Sequence, residues 1–132
     1  MNENIKKKLS DLVETKYFNI VVKGVDTPRK LCEYCDPIDS GNQFIRILLE
    51  VENTDSEGRS FGDGVLYGNL NNKEYKFDTN EAVWEDGYFT LESINPLVTV
   101  KGWVVFKVSD KFDVSSMEYE LPRSNLRVKL VQ

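Results

Sequence analysis

The sequence predicts an all-β fold, a β-sandwich of about eight strands in two antiparallel sheets. Three observations predict it. Apolar residues recur at every second position in several stretches, clusters of turn formers separate those stretches, and helical periodicity appears only once and briefly.

In chain order, residues 1–8 read as a flexible N-terminal extension and residues 9–132 as a single domain. Ile5, Leu9, Leu12 and Val13 have helix-compatible spacing, enough for one or two turns of helix or for coil, since so short a helix is marginal in water. In "YFNIVVKGV" Phe18, Ile20 and Val22 share one face, and Asn19, Val21 and Lys23 the other. In "QFIRILLEVEN" Ile45, Ile47, Leu49 and Val51 are uniformly apolar, with Arg46, Glu50 and Glu52 facing away. "ENTDSEGRSFGDG" is a polar loop, and "LNNKEYKF" is a hairpin whose Asn71 and Asn72 tolerate positive φ at the turn. In "INPLV" Pro96 ends one strand before the next begins. "TVKGWVVFKV" then places Val100, Val104, Phe106 and Val108 on one face with Gly102, and Thr99, Lys101, Trp103, Val105 and Lys107 on the other. Leu126, Val128 and Leu130 alternate with Arg127 and Lys129 in a last strand.

The 132 residues suffice for one core, burying roughly two-thirds of the surface of the unfolded chain. No window approaches the ~18 consecutive apolar residues of a spanning helix, so membrane insertion of this domain is not expected. The net charge of −5 is concentrated in residues 31–90. Nucleic-acid binding needs clustered cations, and the short run Lys6 to Lys8 reads as a solvated terminus, so no nucleic-acid partner is expected. The N-terminus lacks the apolar stretch of about 7–15 residues of a signal peptide. As written, the chain reads as cytoplasmic; a start at Met1 placed after a removed export signal is the alternative.

Three segments carry a family resemblance: "DLVETKYFNIVVKGV" (Asp11 to Val25), "GNQFIRILLEVENTD" (Gly41 to Asp55) and "PLVTVKGWVVFKVSDKF" (Pro96 to Phe112). In order and spacing they resemble the signature segments of a bacterial domain-of-unknown-function family of immunoglobulin-like lipoprotein and exported domains, catalogued as telomeric repeat-binding factor-like. The resemblance runs from about Leu9 to the end. It implies a two-sheet immunoglobulin-like sandwich and an extracytoplasmic or membrane-anchored setting, and it supplies no catalytic residue set. Two features depart from it: no export signal, anchoring cysteine or membrane helix is visible, and "LCEYCDP" lies outside the pattern.

Cys32 and Cys35 form a C-x-x-C. Without a third cysteine or any histidine, a closed four-ligand zinc site is excluded. Incidental thiols are the plainest reading; a short disulfide in an oxidising compartment, a metal shared between chains or completed by Glu33 and Asp36, and redox chemistry are the others. The absence of histidine also removes serine or cysteine nucleophiles assisted by imidazole. Glu81, Glu85 and Asp86 around Trp84 could pair acids beside a sugar-stacking ring, but such acids more often form a solvated loop that binds without catalysis. Asp55, Glu57 and Asp63 are hard oxygen ligands without the spacing of a calcium loop, and an acidic turn without a cation is expected. No cofactor is expected.

If the two long strands are neighbours, Phe44, Leu48, Trp103 and Val105 form an outer apolar patch bordered by Arg46, Lys101 and Lys107. It is a partner surface, or it is covered by a loop or by the N-terminal segment. The expected function is a non-catalytic binding or interaction module of an exported or cell-envelope bacterial protein, its partner another protein or an envelope component, with homo-oligomers allowed. A cytoplasmic interaction domain on the same frame is the alternative, and a carboxylate-dependent hydrolase a distant one.

Overall fold

The alternating stretches form extended strands that pair through their backbones and bury the apolar side of each. A computed structural model describes residues 7–79 and 93–131. Its strands are β1 (Lys7–Lys8), β2 (Leu12–Glu14), β3 (Phe18–Asp26), β4 (Asn42–Asn53), β5 (Arg59–Ser60), β6 (Val65–Leu70), β7 (Lys73–Phe77), β8 (Ser93–Ile94), β9 (Thr99–Ser109), β10 (Glu118–Glu120) and β11 (Arg127–Lys129), with one 3-10 turn at Val114–Ser116. One sheet has the order β2-β3-β4-β9, the other β1-β11-β10-β6-β7, and β5 and β8 form a small ribbon.

The architecture is therefore all-β and sandwich-like, with more and shorter strands among the described residues than the expected eight. It also departs from two purely antiparallel sheets, because β1 runs parallel to β11, Lys7 opposite Val128 and Lys8 opposite Lys129. Those two lysines lie on the extension side of the boundary drawn from sequence, yet they are part of a sheet. The helix considered for Ile5 to Val13 is replaced, from Lys7 on, by β1, a turn and β2. Ser10 turns the chain at φ 73° and donates its N–H to the Val22 carbonyl at 2.9 Å. A sheet edge satisfies these backbone groups one by one, whereas a helix this short cannot offset its own nucleation.

Sequence alternation maps directly onto the core. Ile45, Ile47, Leu49 and Val51 of β4 and Phe18, Ile20 and Val22 of β3 are buried, as are Val104, Phe106 and Val108 of β9. A bulge at Lys23 advances β3 by one residue against β4, so that Val25 returns to the inner side opposite Ile47. From the other sheet come Leu66, Tyr119 and Val128. The hairpin forms as expected: Leu70 faces Lys73, and Asn71 and Asn72 sit at φ 54° and 66° in the two-residue loop.

Tyr119 is the largest fully buried side chain among the described residues, and its hydroxyl donates to the Asp63 carbonyl at 2.7 Å. Burial, with a smaller contribution from the Asp63 charge, pushes that hydroxyl far above the ordinary tyrosine range. Gly64 makes the contact attainable. Its φ is +78°, and a Cβ there would lie 2.6 Å from the Tyr119 ring and from the Glu120 carbonyl oxygen.

Candidate interaction face

β4 and β9 are neighbours along eleven residue pairs, with Phe44 opposite Lys107, Arg46 opposite Val105, Leu48 opposite Trp103 and Glu50 opposite Lys101. The four apolar residues singled out from sequence thus share one outer face, and so do the cations expected to border them. The face is divided in two.

At one end, Phe44 and Val105 are buried, together with Leu31 and against Ile38 of the β3–β4 connection. The connection, residues 27–41, folds back as a flap over the outside of the sheet. It is tied at its base by the Ile38 N–H to the Arg29 carbonyl at 2.8 Å, and at its flank by Lys107 Nζ to Asp39 Oδ2 at 3.2 Å. Cys32 and Cys35 are joined as a disulfide within it, their Cα atoms 5.1 Å apart. Tyr34, between them, is 92% exposed.

At the other end, Leu48 and Trp103 remain half-buried beyond the flap. Trp103 is held on one side by Arg46, whose guanidinium carbon lies 4.1 Å from the ring centroid. Arg46 is itself held by Asp26 through two bonds of 2.9 and 2.7 Å, a paired geometry that fixes the plane of the guanidinium. An aromatic ring is thereby set in a fixed orientation next to a leucine, half in water. The expectation of one apolar patch needs amending, since its Phe44–Val105 half is covered and its Leu48–Trp103 half is not.

Sequence reasoning missed the second organised region, at one end of the sandwich. Asn53 is fully buried at the end of β4; its Nδ2 donates to the Ile94 and Glu57 carbonyls at 2.7 and 2.9 Å, and its Oδ1 accepts from the Asp55 N–H at 2.8 Å. Its backbone accepts from Leu97 N–H at 2.8 Å and donates to the Val98 carbonyl at 3.1 Å. The side chain thus clamps the loop after β4 to β8, and the backbone of the same residue holds the loop between β8 and β9. Leu97, held at φ 63° and 74% exposed, protrudes from the clamp. An asparagine in "EVENTD" reads from sequence as another turn former, so only its burial distinguishes it.

The acidic loop is occupied by its own neighbours. Asp55 Oδ2 accepts from Arg59 Nε at 2.7 Å, and Arg59 lies over the Tyr17 ring at 3.8 Å. The hydrogen bond from Arg59, then that from the Ser56 N–H, holds the Asp55 carboxyl below the usual carboxylate range. Arg127 gathers Glu74, Glu118 and Glu120 at 3.0, 3.2 and 3.7 Å and stacks on Tyr67 at 3.7 Å. Among the described residues no group of three or more His, Cys, Asp or Glu is disposed to hold a metal ion. No helix among them is long and apolar enough to cross a membrane. Trp84, Glu85 and Asp86, with Glu81, lie outside the described residues.

A family model described as "Domain of unknown function (DUF4352)" matches residues 7–125. The chain belongs to the DUF4352 family. This DUF4352 domain is similar in fold to an uncharacterized beta-sandwich protein from Clostridium difficile 630, at a TM-score of 0.64 and 18% identity over 96% of this chain and 95% of that one. It is also similar to a conserved hypothetical protein from Bacillus anthracis, with a TM-score of 0.62, 16% identity, and 96% and 100% of the two chains covered. A putative lipoprotein from Bacillus subtilis gives a TM-score of 0.62 at 13% identity over 93% of the DUF4352 chain. There the likeness spans only 39% of the lipoprotein's length. No curated protein matches the chain.

Proposed function

We propose that this DUF4352 domain is a non-catalytic interaction module of an exported or cell-envelope bacterial protein, engaging another protein or an envelope component through Leu48 and Trp103. The observation that carries the reading is the half-exposed Trp103, clamped by Arg46 and Asp26 beside Leu48 on a face whose Phe44 and Val105 are covered by the flap. A large ring ordered before binding loses little conformational freedom on contact, and tryptophan and arginine recur where interfaces concentrate their energy. The Cys32–Cys35 disulfide suits an oxidising compartment, and the fold shared with a putative lipoprotein suits an envelope setting. The absence of histidine and the engagement of Asp55, Glu74, Glu118 and Glu120 with arginines support a binding role over a catalytic one.

The test compares wild type with Trp103→Ala and Leu48→Ser for cross-linked capture of envelope components and for self-association by sedimentation. Capture or self-association of the wild type is expected to fall at least about tenfold in both variants, with unchanged circular dichroism. Equal behaviour of all three folded proteins would overturn the assignment of this face. Turnover of a glycan by the whole chain, abolished by Glu85→Gln or Asp86→Asn, would replace the binding reading with a hydrolytic one.

A further inference from the structure

The flap covers the outside of a sheet rather than the core. Leu31 and Ile38 close over Phe44 and Val105 on the outside of the four-stranded sheet, and this cluster is separate from the core between the sheets. Opening the flap would uncover an apolar strip continuous with Leu48 and Trp103 along β4 and β9, and the sandwich interior would stay closed. Few bonds hold the flap down. Among the described residues these are the Ile38–Arg29 backbone bond across its base, an exposed lysine–aspartate pair at its flank, the Cys35 N–H to Cys32 carbonyl contact at 3.3 Å within it, and, where it rejoins β4, the Asn42 N–H to Asp39 carbonyl and Asp110 N–H to Gly41 carbonyl bonds at 3.2 and 3.0 Å.

The covalent tie is placed between the two covering residues. Leu31 immediately precedes Cys32, and Ile38 follows Cys35 by three residues, so the disulfide fixes the reversal of chain that points both toward the sheet. Both cysteines are only half-buried, and the tip between them, Glu33 and Tyr34, is exposed, so a thiol reagent can reach the bond.

We propose that Cys32–Cys35 is a redox latch on the flap, and that its reduction uncovers Phe44 and Val105 as an extension of the apolar face. The reductant is a dithiol. One of its thiolates attacks a cysteine sulfur, the Cys32–Cys35 bond breaks and the other cysteine leaves as a thiolate that takes up a proton. The second thiol of the reductant then displaces the mixed disulfide. The reductant ends as a cyclic disulfide and the protein as two thiols, two electrons and two protons having passed to it. Closing so short a loop restrains the open flap on the order of tenfold in the opening equilibrium. A flap with few other ties responds to a change of that size, whereas the sandwich core does not. The latch deepens the reading of the face as an interaction surface, but its chemistry stands whether or not that surface has a partner.

The experiment measures amide hydrogen exchange and binding of an apolar fluorescent dye on the whole chain, oxidised and after treatment with dithiothreitol, alongside the Cys32→Ser/Cys35→Ser double variant. Exchange of residues 27–41 is expected to rise about tenfold on reduction and in the double variant, with dye binding increased and the amides of Ile47, Leu49 and Phe106 unchanged. Leu31→Ser in the oxidised protein is expected to reproduce the dye signal without reduction. Unchanged flap exchange in the reduced wild type would overturn the latch, as would loss of core protection along with it. Partner capture is scored separately, so failure of the latch and failure of the interaction face give different results.

Discussion

The described residues bury apolar side chains in two places by two different means. Between the sheets, burial is built from alternation: Ile45, Ile47 and Leu49 face Phe106, Val104 and Gly102 across one strand pair, and each inward residue is backed by an unbroken hydrogen-bonded ladder. Outside the sheet, Phe44 and Val105 are buried only because Leu31 and Ile38 of a fifteen-residue connection lie over them. The first kind of burial is lost only when the fold is lost. The second can be lost on its own, at the free energy of opening the flap.

Substitutions sharpen that contrast. Phe106→Ala, in the interior and in edge-to-face contact with Tyr119, should cost about 3–5 kcal/mol in chemical denaturation, with core and flap probes melting together. Asn53→Ala should cost about 2–3 kcal/mol, because the Ile94 carbonyl and its neighbours lose their buried donor. Its effect should also reach the exchange of Leu97 and Val98, which lie at the opposite end of β4 from the flap. Leu31→Ala should lower global stability by less than about 1 kcal/mol while raising exchange in residues 27–41, since the flap's own opening caps the cost. A global loss as large as that of Phe106→Ala would erase the distinction between the two regions.

Surface charge should matter less than either. Arg127→Ala removes an ion-pair cluster together with its stacking on Tyr67, and a loss of about 1 kcal/mol that shrinks in high salt is expected in denaturant titrations. The smallest effect concerns Asp55. Its carboxyl is depressed in the folded state, so its contribution is full above the ordinary value near 3.8 and is lost as pH falls through the lower folded value. Arg59→Ala should raise the Asp55 titration midpoint toward 3.8 in an NMR titration, and an unmoved midpoint would disconnect the pair.

How much of this could be read in the sequence follows the same division. Period-two patterns in β3, β4 and β9 locate the interior correctly, because a pleated strand with one dry face leaves no other register. The Asn71–Asn72 turn was equally readable, its backbone conformation being one that few residues tolerate. The short strands β1 and β2 were not, since two or three residues carry no period and take their conformation from the partner strand. Nor was the flap, because Leu31 and Ile38 are two apolar residues in a polar stretch and nothing local says which surface they meet. Asn53 was hidden for a related reason: its burial depends on the Ile94 carbonyl of β8, brought to it from 41 residues away.

The most direct test of the two-region account is native-state hydrogen exchange of the oxidised protein across a series of low denaturant concentrations. Amides of residues 27–41 should open with a small, nearly denaturant-independent free energy, and those of Ile47, Leu49, Val104 and Phe106 should converge on the global unfolding free energy. A flap that exchanges only through global unfolding, at the same free energy as the core, would contradict it.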